Sequence, residues 1–334
     1  MTIPSWGDFL AQCNGVNLVR HAVITYNGTW GAGLIQYPGD TVNGLIQYIN
    51  PDLCFEIPCP YPASFGPVGG SAAAPSYQQS VQDAVGWTAG WLAQNPNQTF
   101  ALIGYSQGAE AASRVYMELV AGTSNEDRFI GGITFGNPSR MAGAGAPGVA
   151  SLGAPWRGIS SVNMTSLPTK NGKVVWADYA HNTANGDAGN DMYPQVPTGA
   201  VGTIMTDVYT TATQAQLNSP TAFLQAMVND LLKLVQDSGL LSGLKGGAAG
   251  LLSMGLGAGI TFLVDLIGGV DPTTATGVQA DVAAAVLGLK FLAAPGGGTA
   301  PHISYLGEIP GYSNLVQNAV GFLKFIAELT PARN

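Results

Sequence analysis

The chain has 334 residues, of which 46% are hydrophobic and only 10% are charged, and its formal net charge is −8. Typical soluble domains carry about 25% charged residues, so this composition favours a large buried core together with apolar surface for a lipid or a partner. Nucleic-acid binding needs basic side chains that neutralise phosphates, and the acidic chain has no run of lysines and arginines, so a nucleic-acid partner is not expected.

The N-terminus and the cysteines bear on where the protein is made. Residues 1–8 lack the cationic start and apolar stretch of a secretory signal, so we expect synthesis in a cytoplasm and release by another route. The three cysteines, Cys13, Cys54 and Cys59, cannot all pair with one another. Cys54 and Cys59 flank a short turn-like stretch and could form a disulfide, whereas free thiols are expected in a reducing cytosol.

The first half of the chain alternates predicted strands with predicted helices. Residues 17–25 are predicted as a strand that runs into a turn at 27–29. The stretch 38–75, rich in Pro, Gly and Tyr, is predicted as long loops with short pieces of structure. A helix with the 3.6-residue period follows at 76–94 and starts with a Ser-x-x-Gln capping box. The next elements are a strand, a helix and two strands at 98–103, 107–121, 129–135 and 172–179. Such alternation predicts an α/β fold with a mostly parallel, two-sided sheet.

From about residue 200 the pattern becomes helical. Residues 219–292 have helical periodicity, with Ser219-Pro220 as N-cap and first-turn proline and Gly239 as a stop. The chain then passes through Pro301-His302 into a last amphipathic helix at about 312–327. We therefore expect residues 1–200 to form the first part of an α/β core and residues 201–295 to form a helical linker or cap insertion. Residues 296–334 are expected to form the last part of the core.

One segment of the helical part has the length of a membrane span. Gly246 to Val264 carries no charge and contains glycines at small-xxx-small spacing. The segment is rich in glycine rather than leucine, which favours a buried hairpin of the cap. A lipid-facing surface and a spanning helix are the alternatives.

Gly104-Tyr-Ser-Gln-Gly108 matches the G-x-S-x-G nucleophile elbow. The two glycines leave room for a sharp turn that holds the hydroxyl of Ser106 above the sheet. A predicted strand before it and a predicted helix after it supply the required context, and a helix N-terminus favours developing negative charge. We interpret Ser106 as a nucleophile, and an ordinary strand–helix turn is the alternative.

A serine nucleophile needs a base and an acid, which follow it in the order Ser, acid, His in this fold. His302, on a loop after the helical part, is favoured as the base, His181 is the alternative, and His21 in the first strand is expected to be structural. The acid candidates are three aspartates that follow or end a strand: Asp178, Asp187 and Asp191. Spacing does not choose between the last two.

Two backbone N–H groups must stabilise the oxyanion. Gln107, the residue after the nucleophile, supplies one, and the turn at 27–29 is the best-placed source of the other. The sequence has no H-E-x-x-H, paired C-x-x-C or Walker motif, so we expect neither a cofactor nor a metal.

A set of ordered motifs extends this interpretation. In chain order they are Gly104-Tyr-Ser-Gln-Gly-Ala109, Phe135-Gly-Asn-Pro-Ser-Arg140, Asp178-Tyr-Ala-His181, Asp191-Met-Tyr193 and Pro301-His302. Together they resemble the lysin B proteins of mycobacteriophages, which are relatives of cutinases. The resemblance is patchwise, from about residue 20 to 326. It implies a cutinase-like α/β-hydrolase fold with a helical linker inserted before the catalytic histidine.

The resemblance also implies a function. Members of the family cleave the ester between mycolic acids and arabinogalactan in the mycobacterial envelope. Matched position by position, it implies Ser106 as nucleophile, His302 as base and Asp191 as acid, with Thr29 and Gln107 as oxyanion donors. The resemblance further implies a lipid-ester substrate in the envelope and peripheral lipid contact without a membrane span. It also implies that the protein is made in the host cytoplasm and then acts at the host envelope.

Three other functions stay open on the sequence. A general lipase or cutinase acting on lipid or soluble esters uses the same triad, and a serine peptidase uses the same chemistry. A non-enzymatic envelope-binding phage protein would keep the fold without needing Ser106.

Overall fold

The computed structural model describes residues 19–29, 31–34, 36–66, 73–183, 189–214, 220–266, 268–294, 300–307 and 314–334. The start of the first predicted strand, Cys13 and the acid candidate Asp187 lie outside the described residues.

A parallel sheet of five strands forms the centre of the molecule. The strands are β1 (His21–Tyr26), β2 (Cys54–Pro58), β3 (Phe100–Tyr105), β4 (Phe129–Phe135) and β5 (Trp176–Tyr179). Their order in the sheet is β2-β1-β3-β4-β5, and every neighbouring pair is parallel. All residues of β1, β3 and β4 are buried, as expected for strands with helices on both faces. The predicted α/β sheet is confirmed.

Nine α-helices surround or extend this sheet in the described part of the chain. They are α1 (Tyr37–Tyr48), α2 (Tyr77–Gln94), α3 (Gln107–Val115, continued by a π-helical turn at Tyr116–Val120), α4 (Ala200–Gln214), α5 (Pro220–Asp237), α6 (Gly247–Ser253), α7 (Leu256–Leu266), α8 (Val278–Leu292) and α9 (Leu315–Glu328). One sheet face packs against α1 and α9, and the other packs against α2 and α3. The apolar cluster of the second face continues into α4, α5 and α8.

The region 38–75 is more ordered than the predicted long loops with short pieces of structure, because it contains most of the twelve-residue helix α1 as well as the short strand β2. Pro38 lies in the first turn of α1, where its missing N–H costs no helical hydrogen bond. Val42 and Leu45 are fully buried against the sheet, so tertiary packing stabilises a helix that local composition disfavours. Pro58 is tolerated because it ends the edge strand β2.

Two predicted helix boundaries agree with the structure. The side chain of Ser76 accepts a hydrogen bond from the backbone N–H of Gln79 at 3.3 Å, as the capping box predicts. Gly239, with φ of +80°, follows the end of α5 as the predicted stop. Helix α4 begins at Ala200, close to the position at which the sequence pattern becomes helical.

The uncharged segment from Gly246 to Val264 forms parts of two short helices, α6 and α7. Gly255 separates them with φ of +86°, a conformation that favours glycine. Across the described ranges, no helix combines the length and hydropathy needed to cross a bilayer.

Cys54 and Cys59 are free thiols rather than a disulfide. Cys54 starts β2 and is fully buried, and Cys59 follows the end of the same strand. Burial raises the pKa of each thiol to about 12. Both side chains are therefore protonated and poorly nucleophilic at neutral pH.

Candidate active site

Ser106 lies at the sharp turn between β3 and α3. Its backbone has φ of +55° and ψ of −119°, a strained conformation for a residue with a side chain. A Cβ atom on Gly104 would lie 2.2 Å from the carbonyl oxygen of Gly108, and one on Gly108 would lie 2.1 Å from that of Tyr26. No larger residue fits either position, so the two glycines of the motif make the turn possible.

The structure brings Ser106, His302 and Asp191 into one hydrogen-bonded series. The Ser106 hydroxyl lies 2.8 Å from Nε2 of His302, although the two residues are 196 positions apart. Nδ1 of His302 lies 2.7 Å from Oδ2 of Asp191, at a separation of 111 positions. The ring can donate through Nδ1 to the carboxylate while Nε2 accepts the serine proton, which is the geometry of a nucleophile, base and orienting acid.

Aromatic side chains hold the imidazole of His302 in this orientation. The ring of Tyr105 stacks on it at 5.2 Å between centroids, and Tyr193 contacts it at 4.4 Å. The Tyr105 hydroxyl also donates to the carbonyl oxygen of His302 at 2.9 Å. His302 ends up only 7% exposed, in a short 3₁₀ turn at Ala300–Ile303. Both tyrosines belong to the motifs quoted above, but sequence reasoning gave neither of them a role.

Asp191 is fully buried and follows the last strand of the sheet by a loop. Its Oδ1 accepts a hydrogen bond from the backbone N–H of Tyr193 at 3.0 Å, and its own N–H donates to the carbonyl oxygen of His181 at 2.9 Å. Arg140, also fully buried, donates through Nε to the carbonyl oxygen of Pro194 at 2.6 Å. The loop that carries the acid is thus fixed on both sides of Asp191.

The other histidines have separate partners. Nδ1 of His21 lies 2.8 Å from the Thr99 hydroxyl, and its Nε2 lies 3.0 Å from the carbonyl oxygen of Ala327, so it joins β1 to the last helix. Burial lowers the pKa of His21. Nδ1 of His181 lies 3.0 Å from the carbonyl oxygen of Gly189.

Asp178 lies in β5, where it accepts hydrogen bonds from side chains around it. The donors are the Thr134 hydroxyl, the Asn137 amide at 2.7 Å and the Trp176 indole at 3.1 Å. Burial raises the pKa of Asp178, and these donors partly counteract the effect. This carboxylate therefore stabilises the end of the sheet and has no contact with His302 among these bonds.

The turn that contains Thr29 lies beside the nucleophile. A Cβ atom on Gly28 would lie 3.1 Å from Cβ of Ser106, and the Gly28 N–H donates to the Gln36 side chain at 2.7 Å. Gln107 is the first residue of α3, where backbone N–H groups have no acceptor within the helix. Gly28, the residue before Thr29, thus lies beside Ser106, and Gln107 directly follows Ser106 in the chain.

Glu110, one turn into α3, is a buried carboxylate that sequence reasoning missed. It accepts hydrogen bonds from the hydroxyls of Tyr77 at 3.0 Å, Ser160 at 3.1 Å and Tyr209 at 3.2 Å. Burial raises the pKa of Glu110. The three donors belong to different segments, so Glu110 connects the helix of the nucleophile to α2 and α4.

Residues 22–185 match the family model described as Cutinase. These residues form a Cutinase-family domain. The cutinase domain has the cutinase-like α/β-hydrolase fold, and the family assignment supports a carboxylic ester hydrolase. No curated protein sequence matches the chain.

Solved structures similar to the chain include esterases. Lysin B from mycobacteriophage D29 shares 19% identity, with 91% of this chain and 99% of that chain covered and a TM-score of 0.47. The catalytic core domain of acetyl xylan esterase from Trichoderma reesei shares 19% identity, with 60% and 100% covered and a TM-score of 0.41. A cutinase-like protein from Cryptococcus sp. shares 21% identity, with 48% and 75% covered and a TM-score of 0.35.

A cavity of about 380 Å³ lies between the loop that carries Asp191 and the later helices. Its lining includes Asn190 and Met192, which flank Asp191, together with Met205 of α4, Ile260 of α7 and Leu287 of α8. The volume falls within the range of about 300–1,000 Å³ that is usual for ligand pockets. Its mostly apolar lining suits an alkyl chain.

Proposed function

We propose that the protein is a serine esterase that hydrolyses the ester between mycolic acids and arabinogalactan in the mycobacterial envelope. Ser106 is the nucleophile, His302 the general base, Asp191 the acid that orients it, and Thr29 and Gln107 the oxyanion donors. The single observation that carries the chemistry is the series of hydrogen bonds of 2.8 and 2.7 Å through the imidazole of His302. The ordered motifs that resemble lysin B support the choice of substrate.

In the first step Nε2 of His302 takes the proton of Ser106 as Oγ attacks the ester carbonyl carbon. The N–H groups of Thr29 and Gln107 stabilise the negative charge on the former carbonyl oxygen. When the tetrahedral intermediate collapses, the bond to the sugar oxygen breaks, and the sugar alcohol leaves with the proton held by His302.

In the second step water attacks the acyl-enzyme. His302 takes a proton from the water, the free acid leaves, and the proton returns to Ser106. Asp191 keeps its hydrogen bond to Nδ1 throughout and stabilises the imidazolium each time it forms.

The acyl chain of the substrate extends into the cavity beside the acid loop. Phe291 of α8 lines this cavity and contacts the ring of Tyr193 at 5.7 Å, and Tyr193 contacts His302. We expect a long chain to lie along these rings from the reacting carbonyl to the helical part, whose apolar side chains favour its burial. Peripheral contact with envelope lipid and action at the host envelope after release from the host cytoplasm belong to the same proposal.

The test of the nucleophile is intact-mass analysis after reaction with a fluorophosphonate probe. We expect one adduct per chain, mapped to Ser106 and absent from Ser106→Ala, whereas Ser253→Ala, on an exposed position of α6, should label like the wild type. Labelling at another residue, or none in the folded protein, would contradict the assignment.

The test of the substrate is the release of free mycolic acid from mycobacterial cell-wall material by the wild type and by Ser106→Ala. Release by the wild type alone supports the proposal. Hydrolysis of p-nitrophenyl esters without release of mycolic acid would indicate a general lipase or cutinase, and neither reaction would indicate a non-enzymatic protein.

A further inference from the structure

The carboxylate of Asp191 has a second side-chain partner. Its Oδ2 accepts a hydrogen bond from Nδ1 of His302 at 2.7 Å and another from the hydroxyl of Tyr305 at 2.7 Å. One carboxylate oxygen therefore serves two donors. Tyr305 follows His302 by three positions, and nothing in the sequence motifs singles it out.

The donor role of Tyr305 follows from its surroundings. Its side chain is fully buried, and its ring packs against Tyr37 at 5.6 Å and Phe135 at 5.6 Å. Burial and the neighbouring carboxylate raise the pKa of Tyr305 well above its ordinary value, so the hydroxyl stays protonated. The backbone N–H of His181 lies 3.5 Å from the same hydroxyl oxygen, which leaves the single hydroxyl proton for Asp191.

We propose that Tyr305 is a positioning residue that limits how strongly Asp191 holds the protonated imidazole of His302. A hydrogen bond to a carboxylate stabilises its charge and leaves less of that charge to stabilise a neighbouring cation. The imidazolium that forms when His302 takes the serine proton is therefore stabilised less strongly than it would be without the tyrosine. This inference rests on the proposed function, because it requires His302 to act as the base.

Other titratable and charged groups face the same pair from the packed elements. They are Tyr37, Tyr105, Tyr193 and Arg140 around Asp191, His181 beside the Tyr305 hydroxyl, and Asp178 beside Arg140. All of them are unchanged in a Tyr305→Phe variant, which removes only one oxygen atom. The variant therefore isolates the hydrogen bond from the aromatic packing.

The experiment compares the pH dependence of kcat/KM for a soluble p-nitrophenyl ester. In Tyr305→Phe we expect the acid limb to move to higher pH by about one unit, the size of effect that one hydrogen bond to a charged group produces. Tyr37→Phe is the matched control, because its hydroxyl donates to the carbonyl oxygen of Ile303 at 2.7 Å and not to Asp191. Its acid limb should stay at the wild-type pH.

A second measurement separates this inference from the proposed function. NMR titration of the His302 ring follows its protonation without any turnover, and with only three histidines in the chain its signal can be assigned by substitution. A higher midpoint in Tyr305→Phe supports the inference even where ester hydrolysis fails. An unchanged or lower midpoint overturns it.

Incorporation of 3-fluorotyrosine at position 305 keeps the inference testable where Tyr305→Phe fails to fold. The fluorinated phenol is a stronger donor of nearly the same volume, so the acid limb and the NMR midpoint should both move to lower pH. A shift to higher pH, or none, overturns the proposal.

Discussion

The α/β core and the helices from Pro220 to Leu292 bury different kinds of side chain. In the core, charged groups such as Glu110, Arg140 and Asp191 are fully buried, and each is held by several hydrogen bonds. Among the described side chains of residues 220–294, the buried ones are apolar. A hydrogen-bonded network tolerates little displacement, whereas apolar packing needs mainly the right volume. We therefore expect substitutions in the core to change the positions of hydrogen-bonded side chains. Substitutions in the helices should instead change the volume that is open to a substrate.

The largest expected effect is on kcat, and it should distinguish the roles of the two buried aspartates of the core, Asp191 and Asp178. Asp191→Asn should lower kcat for a p-nitrophenyl ester by about 10⁴-fold with the fold intact, because an amide cannot stabilise the imidazolium and can favour the wrong tautomer. Asp178→Asn should lower the melting temperature instead, since it disturbs the bonds from Thr134, Asn137 and Trp176, and the folded fraction should keep near-normal kcat. Similar loss of kcat in both variants would contradict this division of roles.

A smaller effect tests how closely the core packs around the base. A Cβ atom on Gly136 would lie 2.6 Å from Cε1 of His302 and 3.0 Å from Oδ2 of Asp191. Gly136→Ala should therefore displace the imidazole and lower kcat/KM by about 10²-fold, the cost of a displacement near 1 Å.

The matched control for Gly136→Ala is Gly172→Ala. Gly172 has a similar φ of +71°, against +59° for Gly136, but a Cβ atom there would meet no neighbour within 4 Å. It carries the same kind of backbone strain without the contact to the imidazole. Equal losses of kcat/KM in the two variants would mean that strain, rather than contact with His302, causes the effect.

The helical region should respond to a change of volume. Leu287→Trp fills part of the cavity of about 380 Å³, so kcat/KM for long-chain p-nitrophenyl esters should fall about tenfold while the acetate ester is unaffected. Val278→Trp, at an exposed position of α8 away from the cavity lining, is the control and should change neither. If Leu287→Trp slows all chain lengths equally, the acyl chain does not extend into this cavity.

The smallest expected effect concerns the carboxylate that connects core and helices. Because burial raises the pKa of Glu110, the folded protein binds this proton more tightly than the unfolded chain. The stabilising contribution is complete below the unfolded pKa and is lost as pH rises through the folded pKa. Glu110→Gln should therefore reduce the fall in the free energy of unfolding between mildly acidic and neutral pH.

Denaturant unfolding at a series of pH values measures this slope. Glu328→Gln serves as the control, because Glu328 is exposed and forms an ion pair with Lys324 on the surface of α9. A slope in Glu110→Gln equal to that of the wild type and of the control would show that Glu110 is not the group responsible.

Local sequence patterns correctly predicted those elements whose structure depends mainly on residues nearby in the chain. The strand, turn and helix around Ser106 and the capped start of α2 follow from residues within one or two turns of each other. The prediction of long loops with short pieces of structure over 38–75 missed the helix α1, because α1 is stabilised by burial of Val42 and Leu45 rather than by its own propensity. Local sequence also did not identify the acid of the triad, because spacing did not choose between Asp187 and Asp191. Only the family resemblance selected Asp191.

By itself, the sequence determined the elbow at Ser106, the alternation that makes a parallel sheet, and the change to helix near residue 200. Only the tertiary structure decided that the side chains at 106, 191 and 302 share hydrogen bonds, and that Tyr305 and Gly136 adjoin them. The physical reason is range: propensity and hydrophobic period act over a few residues, whereas these contacts join positions up to 196 residues apart through the packing of a whole core.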